Sequence, residues 1–207
     1  MRLCVFDFDS TLMDGETIDF FAEALGIGEK VASITERAMN GEIDFFESLQ
    51  ARVKLLKGLD VGTVENISHN LPYMPGAKET IAALKAEGIT VVCFSGGFRT
   101  ATDYAKGILG FDADFSNALH AKDGKLTGEV GGDMMFSWSK GDMLLRLQSL
   151  LKVTPEETMV VGDGANDLSM FKYAGTRVAF CAKEVLKKEA NIIIDTKDLR
   201  EILGRLV

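Results

Sequence analysis

Short apolar, β-rich runs alternate with amphipathic helical patterns along most of this chain, and that alternation constrains its fold more than any other feature. LCVFDF (3–8), ITVVCFS (89–95), TMVVGD (158–163), RVAFC (177–181) and NIIID (191–195) are each bounded by glycine or polar residues. Runs that are apolar throughout suit strands covered on both faces, and helices between them imply right-handed crossovers and a parallel sheet. Helical patterns fall at 76–87, 98–109, 139–151, 166–173, 183–189 and 197–206. The expectation is a three-layer α/β protein built on a parallel sheet.

One region breaks the alternation. Residues 14–74 hold no convincing strand, only helical stripes: Ile18, Phe21, Ala22 and Leu25, then Val31, Ile34 and Ala38, then Phe45, Leu49 and Leu56. LPYMPG (71–76), with two of the three prolines, punctuates its end. A helical insertion after the first strand is expected. A smaller patch, NALHAKDGKLTGEV (117–130), places KDGK between alternating residues, which signals a β-hairpin over 117–131 inserted in the core.

Composition narrows the function classes. The 207 residues carry a net charge of −8 and no lysine- or arginine-rich block, which argues against nucleic acid or an anionic membrane as partner. A small anionic substrate remains compatible, because a metal or a local cation can reverse the global sign. No run approaches the ~18 apolar residues a membrane span needs, and no secretory signal is visible. Cys4, Cys93 and Cys181 are odd in number, widely spaced and each set in an apolar run. They are expected to be reduced core thiols of a cytoplasmic protein. A cysteine nucleophile would find only His69 and His120 as bases.

The acidic residues are more telling. In a parallel sheet, ligands bind in the crevice beyond the carboxyl ends of the strands. Asp7 and Asp9 end the first apolar run, Ser95 the second and Asp163 the TMVVGD run, with Asp167 just beyond. Any one of these could be an N-cap or a solvated loop residue. Four ionised carboxylates on one rim repel unless a cation neutralises them. Oxygen-only ligands point to a hard divalent ion, Mg²⁺ rather than Ca²⁺, and the absence of His or Cys argues against zinc. SGG (95–97) adds a hydroxyl and close backbone N–H groups before a helix, a setting that suits phosphate. Two residues apart on a regular strand, Asp7 and Asp9 would point the same way and could both face that phosphate.

Two basic residues sit where apolar ones belong. On a helix over 45–56, Arg52 projects within roughly 20° of Phe45 and about 40° of Leu56, on the apolar stripe. It either snorkels to the surface or aims at a substrate carboxylate or phosphate. Lys140 shares an inward face with Leu144, Leu147 and Leu151, at a helix N-terminus where a cation opposes the dipole. A buried anion would resolve the conflict, with a bound phosphate favoured over a structural ion pair.

DFDSTL (7–12), SGG (95–97), the isolated Lys140 and GDGAND (162–167), in that order, resemble the haloacid-dehalogenase-type phosphatases. ETIDFFAE (16–23), SLQARVKLL (48–56), KDGKLTG (122–128) and GDGANDLSMFKYAG (162–175) are similar to the phosphoserine phosphatase branch of that superfamily, and the likeness runs from about residue 2 to DLREIL (198–203). The resemblance implies a Rossmann-like core over 1–13 and 75–207 with a helical cap over 14–74. It implies Asp7 as nucleophile and Asp9 as general acid and then base. Ser95, Gly96 and Lys140 would hold phosphate, with Asn166 bonding near it. Mg²⁺ would be ligated by the Asp7 carboxylate, the Asp9 backbone carbonyl and Asp163, supported by Asp167. On the cap, Glu16 would pair with a substrate ammonium, Arg52 would grip its carboxylate, and Met39 and Phe45 would close over it. MMFSW (134–138) departs from the polar stretch that the resemblance implies there, and Trp138 is expected to be a packing or edge residue.

The implied activity is Mg²⁺-dependent hydrolysis of O-phospho-L-serine, the last step of serine biosynthesis. The alternatives are action on another small phosphate ester such as phosphohomoserine, phosphate transfer to homoserine, or a non-catalytic metabolite sensor. The sequence leaves monomer and homodimer both open.

Overall fold

Leu3–Asp7 forms the central strand, β1, and its side chains show why. Cys4 and Phe6 point into one apolar cluster while Leu3 and Val5 point into another, and all four are buried. A strand with four successive apolar residues has to be covered on both faces, and this one is. The computed structural model describes residues 1–205 and, of Met39, the backbone alone.

The remaining strands are β2 (Thr90–Phe98), β3 (Ala113–Lys122), β4 (Lys125–Gly132), β5 (Thr158–Gly162), β6 (Thr176–Phe180) and β7 (Ile192–Ile194). They form one sheet in the order β4-β3-β2-β1-β5-β6-β7, parallel except for the β3–β4 pair. Strand order reverses on either side of β1, which opens a crevice beyond its carboxyl end. On one face lie α5 (Ala77–Ala86) and α6 (Arg99–Leu109), which bury Ile81, Leu84, Ala101 and Ala105 against Cys4, Phe6 and Cys93. On the other lie α7 (Ser139–Leu151) and α8 (Leu168–Phe171), with Leu144, Met170 and Phe171 against Leu3 and Val5. Each buried Leu, Ile, Met or Phe among them contributes about 1.5–3 kcal/mol, so the two clusters lock the sheet from both sides.

Residues 14–74 carry four helices: α1 (Thr17–Glu23), α2 (Gly28–Met39), α3 (Phe45–Leu55) and α4 (Val61–His69). Asp44 and Asp60 start the last two, each accepting a hydrogen bond from a backbone N–H three residues on. Their apolar faces share a third cluster, containing Ile18, Phe21, Val31, Leu49, Val53 and Leu56.

Several expectations need correction. β3 begins at Ala113, ahead of the expected hairpin bound at 117, and pairs in parallel with β2, so the hairpin extends the main sheet. Its Asp123–Gly124 turn has positive φ at both residues, as a two-residue hairpin loop requires. The hairpin also backs the helical cap, because Leu126 exchanges backbone hydrogen bonds with Gly58 and Leu59 and lies in the third cluster. Leu25 is exposed, since α1 ends at Glu23, two residues before the end of its stripe. Cys181 is exposed, while Cys4 and Cys93 are buried. Residues 199–205 form a 3₁₀ rather than an α-helix. Among the described residues, no helix is long and apolar enough to cross a membrane.

MMFSW joins the two halves of the molecule. Phe136 stacks on Phe46 of α3 at 4.8 Å between ring centroids and on Trp138 at 5.1 Å. Trp138 ends that stack at the surface, 58% exposed, as an edge residue.

Candidate active site

The carboxyl end of β1 sets the site. Regular strand geometry stops at Asp7, so Asp9 does not share the pleat with it; a turn re-aims the chain, helped by positive φ at Ser10. That turn separates the two carboxylates chemically. Asp7 Oδ1 accepts from the Phe8 N–H at 2.8 Å and from Lys140 Nζ at 2.6 Å. Asp9 faces the cap instead: its Oδ1 accepts from the Thr17 N–H at 2.6 Å and from the Thr17 hydroxyl. The first N–H groups of a helix lack partners within it, so Asp9 acts as the cap of α1. Sequence reasoning missed Thr17; its only signal was a hydroxyl residue at the start of a helix.

β2 supplies the opposite wall. The strand runs on to Phe98, past the expected end at Ser95, and its pairing with β3 shifts register between Phe94 and Phe98. Ser95, Gly96 and Gly97 fill that irregularity. Ser95 Oγ accepts from the Gly97 N–H at 2.9 Å and lies 3.4 Å from Asp9 Oδ2. A side chain at Gly97 would put its Cβ 2.6 Å from Asp9 Oδ2, and one at Gly96 would put it 2.6 Å from the Phe45 ring. The glycines let backbone approach both the carboxylate and the cap. Asn117, also missed, is fully buried, donating to the Gly96 and Met134 carbonyls and accepting from the Met134 N–H. Nothing in the alternating hairpin pattern around it signalled this clamp.

The loop after β5 closes the floor. Asp167 Oδ2 accepts from the N–H groups of Asp163 and Gly164 at 2.9 and 3.2 Å, and its Oδ1 accepts from Lys140 at 2.6 Å. Lys140 therefore bridges Asp7 and Asp167, with all three side chains at most 3% exposed. The conflict between its charge and the α7 N-terminus is resolved by these two carboxylates. Oxygens of Asp7, Asp163 and Asp167 lie within 4.8 Å of one another. Asp163 Oδ1 is buried with no hydrogen-bond partner among the described residues, and so is Asn166 Oδ1.

Electrostatics follow from this dry, acid-rich setting. Burial and the neighbouring Asp167 push Asp7 up to about 7, against the opposing influence of Lys140. Burial raises Asp163 well above the usual carboxylate range, with Asp7 and Asp167 adding to it. For Lys140, burial works downward, but Asp167 and Asp7 override it and hold the ammonium above the usual lysine range. Three carboxylates facing one ammonium leave negative charge without compensation. An orphaned, buried Asp163 oxygen beside two further carboxylates fits a hard divalent cation.

The helical cap provides the roof. A cleft with about 400 Å³ of free space, its mouth included, is lined by Asp7, Asp9, Asp163 and Asn166 below and by Glu16, Phe45 and Arg52 above. Gly96 and Gly97 line its side. Glu16 accepts from the Ser10 hydroxyl at 2.8 Å, and burial, reinforced by Asp9, raises its pKa well above the usual value. Arg52 is 3% exposed and does not snorkel. Its Nε donates to the Ser48 carbonyl at 3.3 Å and its Nη1 to the Thr35 hydroxyl at 3.1 Å, and among the described residues no carboxylate pairs with it. Of the residues expected here, Ser95 lies beneath the surface and Asp167 behind Lys140, while the side chain of Met39 falls outside the described residues.

Comparison with known proteins agrees with this geometry. Residues 1–175 match the family model of haloacid dehalogenase-like hydrolases. The phosphoserine phosphatase of Wolinella succinogenes is 62% identical over 206 residues, covering 100% of both chains. That of Methanocaldococcus jannaschii is 48% identical, covering 98% of this chain and 96% of its own. Among solved structures, a phospho-aspartyl intermediate analogue of phosphoserine phosphatase superposes with a TM-score of 0.97 at 47% identity, covering 100% of this chain and 99% of that one. A substrate-bound phosphoserine phosphatase gives the same TM-score, 0.97, at 46% identity, covering 100% of this chain and 98% of the other. With a buried aspartate–lysine pair at the end of its central strand and relatives of this kind along its full length, the chain belongs to the haloacid dehalogenase-like hydrolase family.

Proposed function

We propose that this cleft hydrolyses O-phospho-L-serine to L-serine and phosphate through a phosphorylated Asp7. The carrying observation is the presence of opposite charges at both ends of one cavity: Asp7 bonded to Lys140 on the floor, Glu16 and Arg52, unpaired with each other, in the roof. A phosphate ester of a zwitterion needs all four.

Asp7 Oδ1 is held by Lys140 and the Phe8 N–H, which leaves Oδ2 for in-line attack on phosphorus. As the Asp7–phosphorus bond forms, the bond to the serine oxygen breaks, and Asp9 gives that oxygen its proton. Burial raises the pKa of Asp9 against the hydrogen bonds from Thr17, which favours a proton on the acid at the start. Asp9 then takes a proton from the water that cleaves the acyl phosphate, returning Asp7 and releasing phosphate. Lys140 offsets charge on the nonbridging oxygens, while Ser95, the Gly96 backbone and Asn166 orient them.

Asp7, Asp163 and the Asp9 backbone carbonyl would hold Mg²⁺, with Asp167 keeping the loop and Lys140 in place. Bound there, the ion neutralises the acidic floor and lets an anionic nucleophile meet an anionic ester. In the roof, Glu16 takes the substrate ammonium and Arg52 its carboxylate, and Phe45 shields the reacting centre from bulk water. The same reading places the protein in the cytoplasm at the end of serine biosynthesis. Phosphate release from L-phosphoserine, with and without Mg²⁺, set against phosphothreonine and p-nitrophenyl phosphate, tests it. Strong preference for phosphoserine is the expected result; equal rates on all three esters would refute the assignment.

A further inference from the structure

We propose that Thr35 is a specificity-determining positioning residue, whose hydroxyl fixes the Arg52 guanidinium so that its free N–H groups meet a carboxylate in the cleft. The inference rests on the phosphoserine reading above.

Arg52 carries five N–H donors and accepts nothing. One is spent on Ser48, within its own helix, and one on Thr35 Oγ1, on the neighbouring α2. Because arginine only donates, the Thr35 oxygen must be the acceptor in that bond, and its single proton goes elsewhere. Two acceptors stand within reach: the Val31 carbonyl at 3.1 Å and Asp19 Oδ1, on α1, at 3.3 Å. When Asp19 takes the proton, three helices of the cap are tied to one guanidinium; when Val31 takes it, α2 and α3 are. Thr35 is 3% exposed, so water does not compete for these bonds.

This arrangement differs from an ion pair in a way that matters for binding. Asp19 faces Arg52 through the hydroxyl rather than directly. A direct carboxylate fork would occupy the paired donors that a substrate carboxylate needs. Thr35 instead holds one edge of the guanidinium with a neutral oxygen and leaves the charge unspent. Burial depresses the Arg52 pKa while Glu16 and Asp19 support it, so the cation stands desolvated in the roof. Fixing it in advance removes the ordering cost a mobile side chain would incur on each binding event.

The test uses the full chain with Mg²⁺ and three variants. Thr35→Val keeps the shape and removes the hydroxyl, Thr35→Ser restores it, and Asp19→Ala removes the far acceptor. Loss of one hydrogen bond to a charged group predicts that Thr35→Val raises KM for phosphoserine about tenfold. The competitive Ki of inorganic phosphate, which has no carboxylate, should stay within about twofold of wild type, as should kcat. Thr35→Ser should recover the wild-type KM. Asp19→Ala should raise KM by about threefold, and by nothing further once Thr35 is valine, because the two act in one chain.

An unchanged KM in Thr35→Val overturns the inference, as does a parallel rise in the phosphate Ki, which would mark general damage to the cleft. Failure of serine to rescue also overturns it. Should Thr35→Val not fold, Thr35→Ala decides in its place, and an unchanged KM there overturns the idea. If the wild-type protein does not turn over phosphoserine, the functional reading falls and this inference falls with it. Turnover with an indifferent Thr35 overturns the inference alone.

Discussion

Replacing Lys140 with methionine keeps most of the side-chain length and removes the charge. In the folded chain the Lys140 ammonium lies 2.6 Å from an oxygen of each of Asp7 and Asp167, with Asp163 completing the acidic cluster. Deleting one partner of a buried ion pair costs about 3–5 kcal/mol, because the other charge is left without compensation. For a chain of this size each kcal/mol moves Tm by about 2–4 °C, so the drop at pH 8 without divalent ions should be roughly 6–20 °C. The deficit must depend on pH, because the cluster can shed charge by binding protons. Asp7 has a folded pKa of about 7 against an unfolded value of 3.8. A carboxyl raised on folding binds protons preferentially in the folded state, so stability falls as pH rises from 3.8 through about 7. Without Lys140 the main lowering influence on Asp7 is gone, its pKa climbs further, and stability falls more steeply over that window and beyond. The gap between wild type and variant should therefore be small near pH 5 and widest near pH 8. Mg²⁺ should narrow it, since a cation among the carboxylates replaces part of the lost charge. Melting followed by circular dichroism at pH 5, 6.5 and 8, each with EDTA or Mg²⁺, measures all of this. A Tm gap that is constant with pH and indifferent to Mg²⁺ would refute the electrostatic account of this cluster and leave only a packing defect.

Other substitutions probe different parts of the cleft. Asp7→Asn should abolish turnover while phosphoserine still binds, measured by phosphate release and calorimetry; residual activity near wild type would remove Asp7 as nucleophile. Arg52→Ala, losing two charge-assisted bonds, should lower kcat/KM for phosphoserine about 100-fold, but far less for an ester without a carboxylate. Equal losses on both substrates would contradict its role in specificity. Phe136→Ala breaks the stack that links Phe46 on the cap to Trp138. Trp138 is the only tryptophan, so its fluorescence should change when phosphate binds the wild type and respond weakly in this variant. An identical response in both would detach the stack from cap position.

What could be foreseen from the sequence, and what could not, divides along a physical line. A residue that violates its local pattern announces itself. Arg52 and Lys140 are charges on apolar helical faces, and both prove to be buried at the cleft. Aspartates ending apolar runs stood out in the same way, and their convergence required only that the strands be parallel and adjacent. Residues that satisfy their local pattern stayed hidden. Thr17 is an ordinary first-turn residue, Asn117 one polar position in an alternating strand, and Thr35 a hydroxyl on a helix with a good apolar stripe. Each acquires its role from a partner outside its own element: Asp9, the Gly96 carbonyl and Arg52 respectively. The extension of the hairpin into the main sheet went unseen for the same reason. Its turn is encoded by Asp123 and Gly124, but the pairing of β3 with β2 depends on register between segments that carry no mark of each other. Arg52 and Lys140 were therefore visible singly and the aspartates only as a set, because a charge where packing wants none stands out, whereas Glu16 was marked by the resemblance alone. The groups that aim them were not visible, since a neutral hydrogen bond violates nothing. By the same logic, positions still to be found around this site are small, neutral and buried, and the search for them belongs among the partners of Asp9, Glu16 and Arg52 rather than among charged residues on the surface.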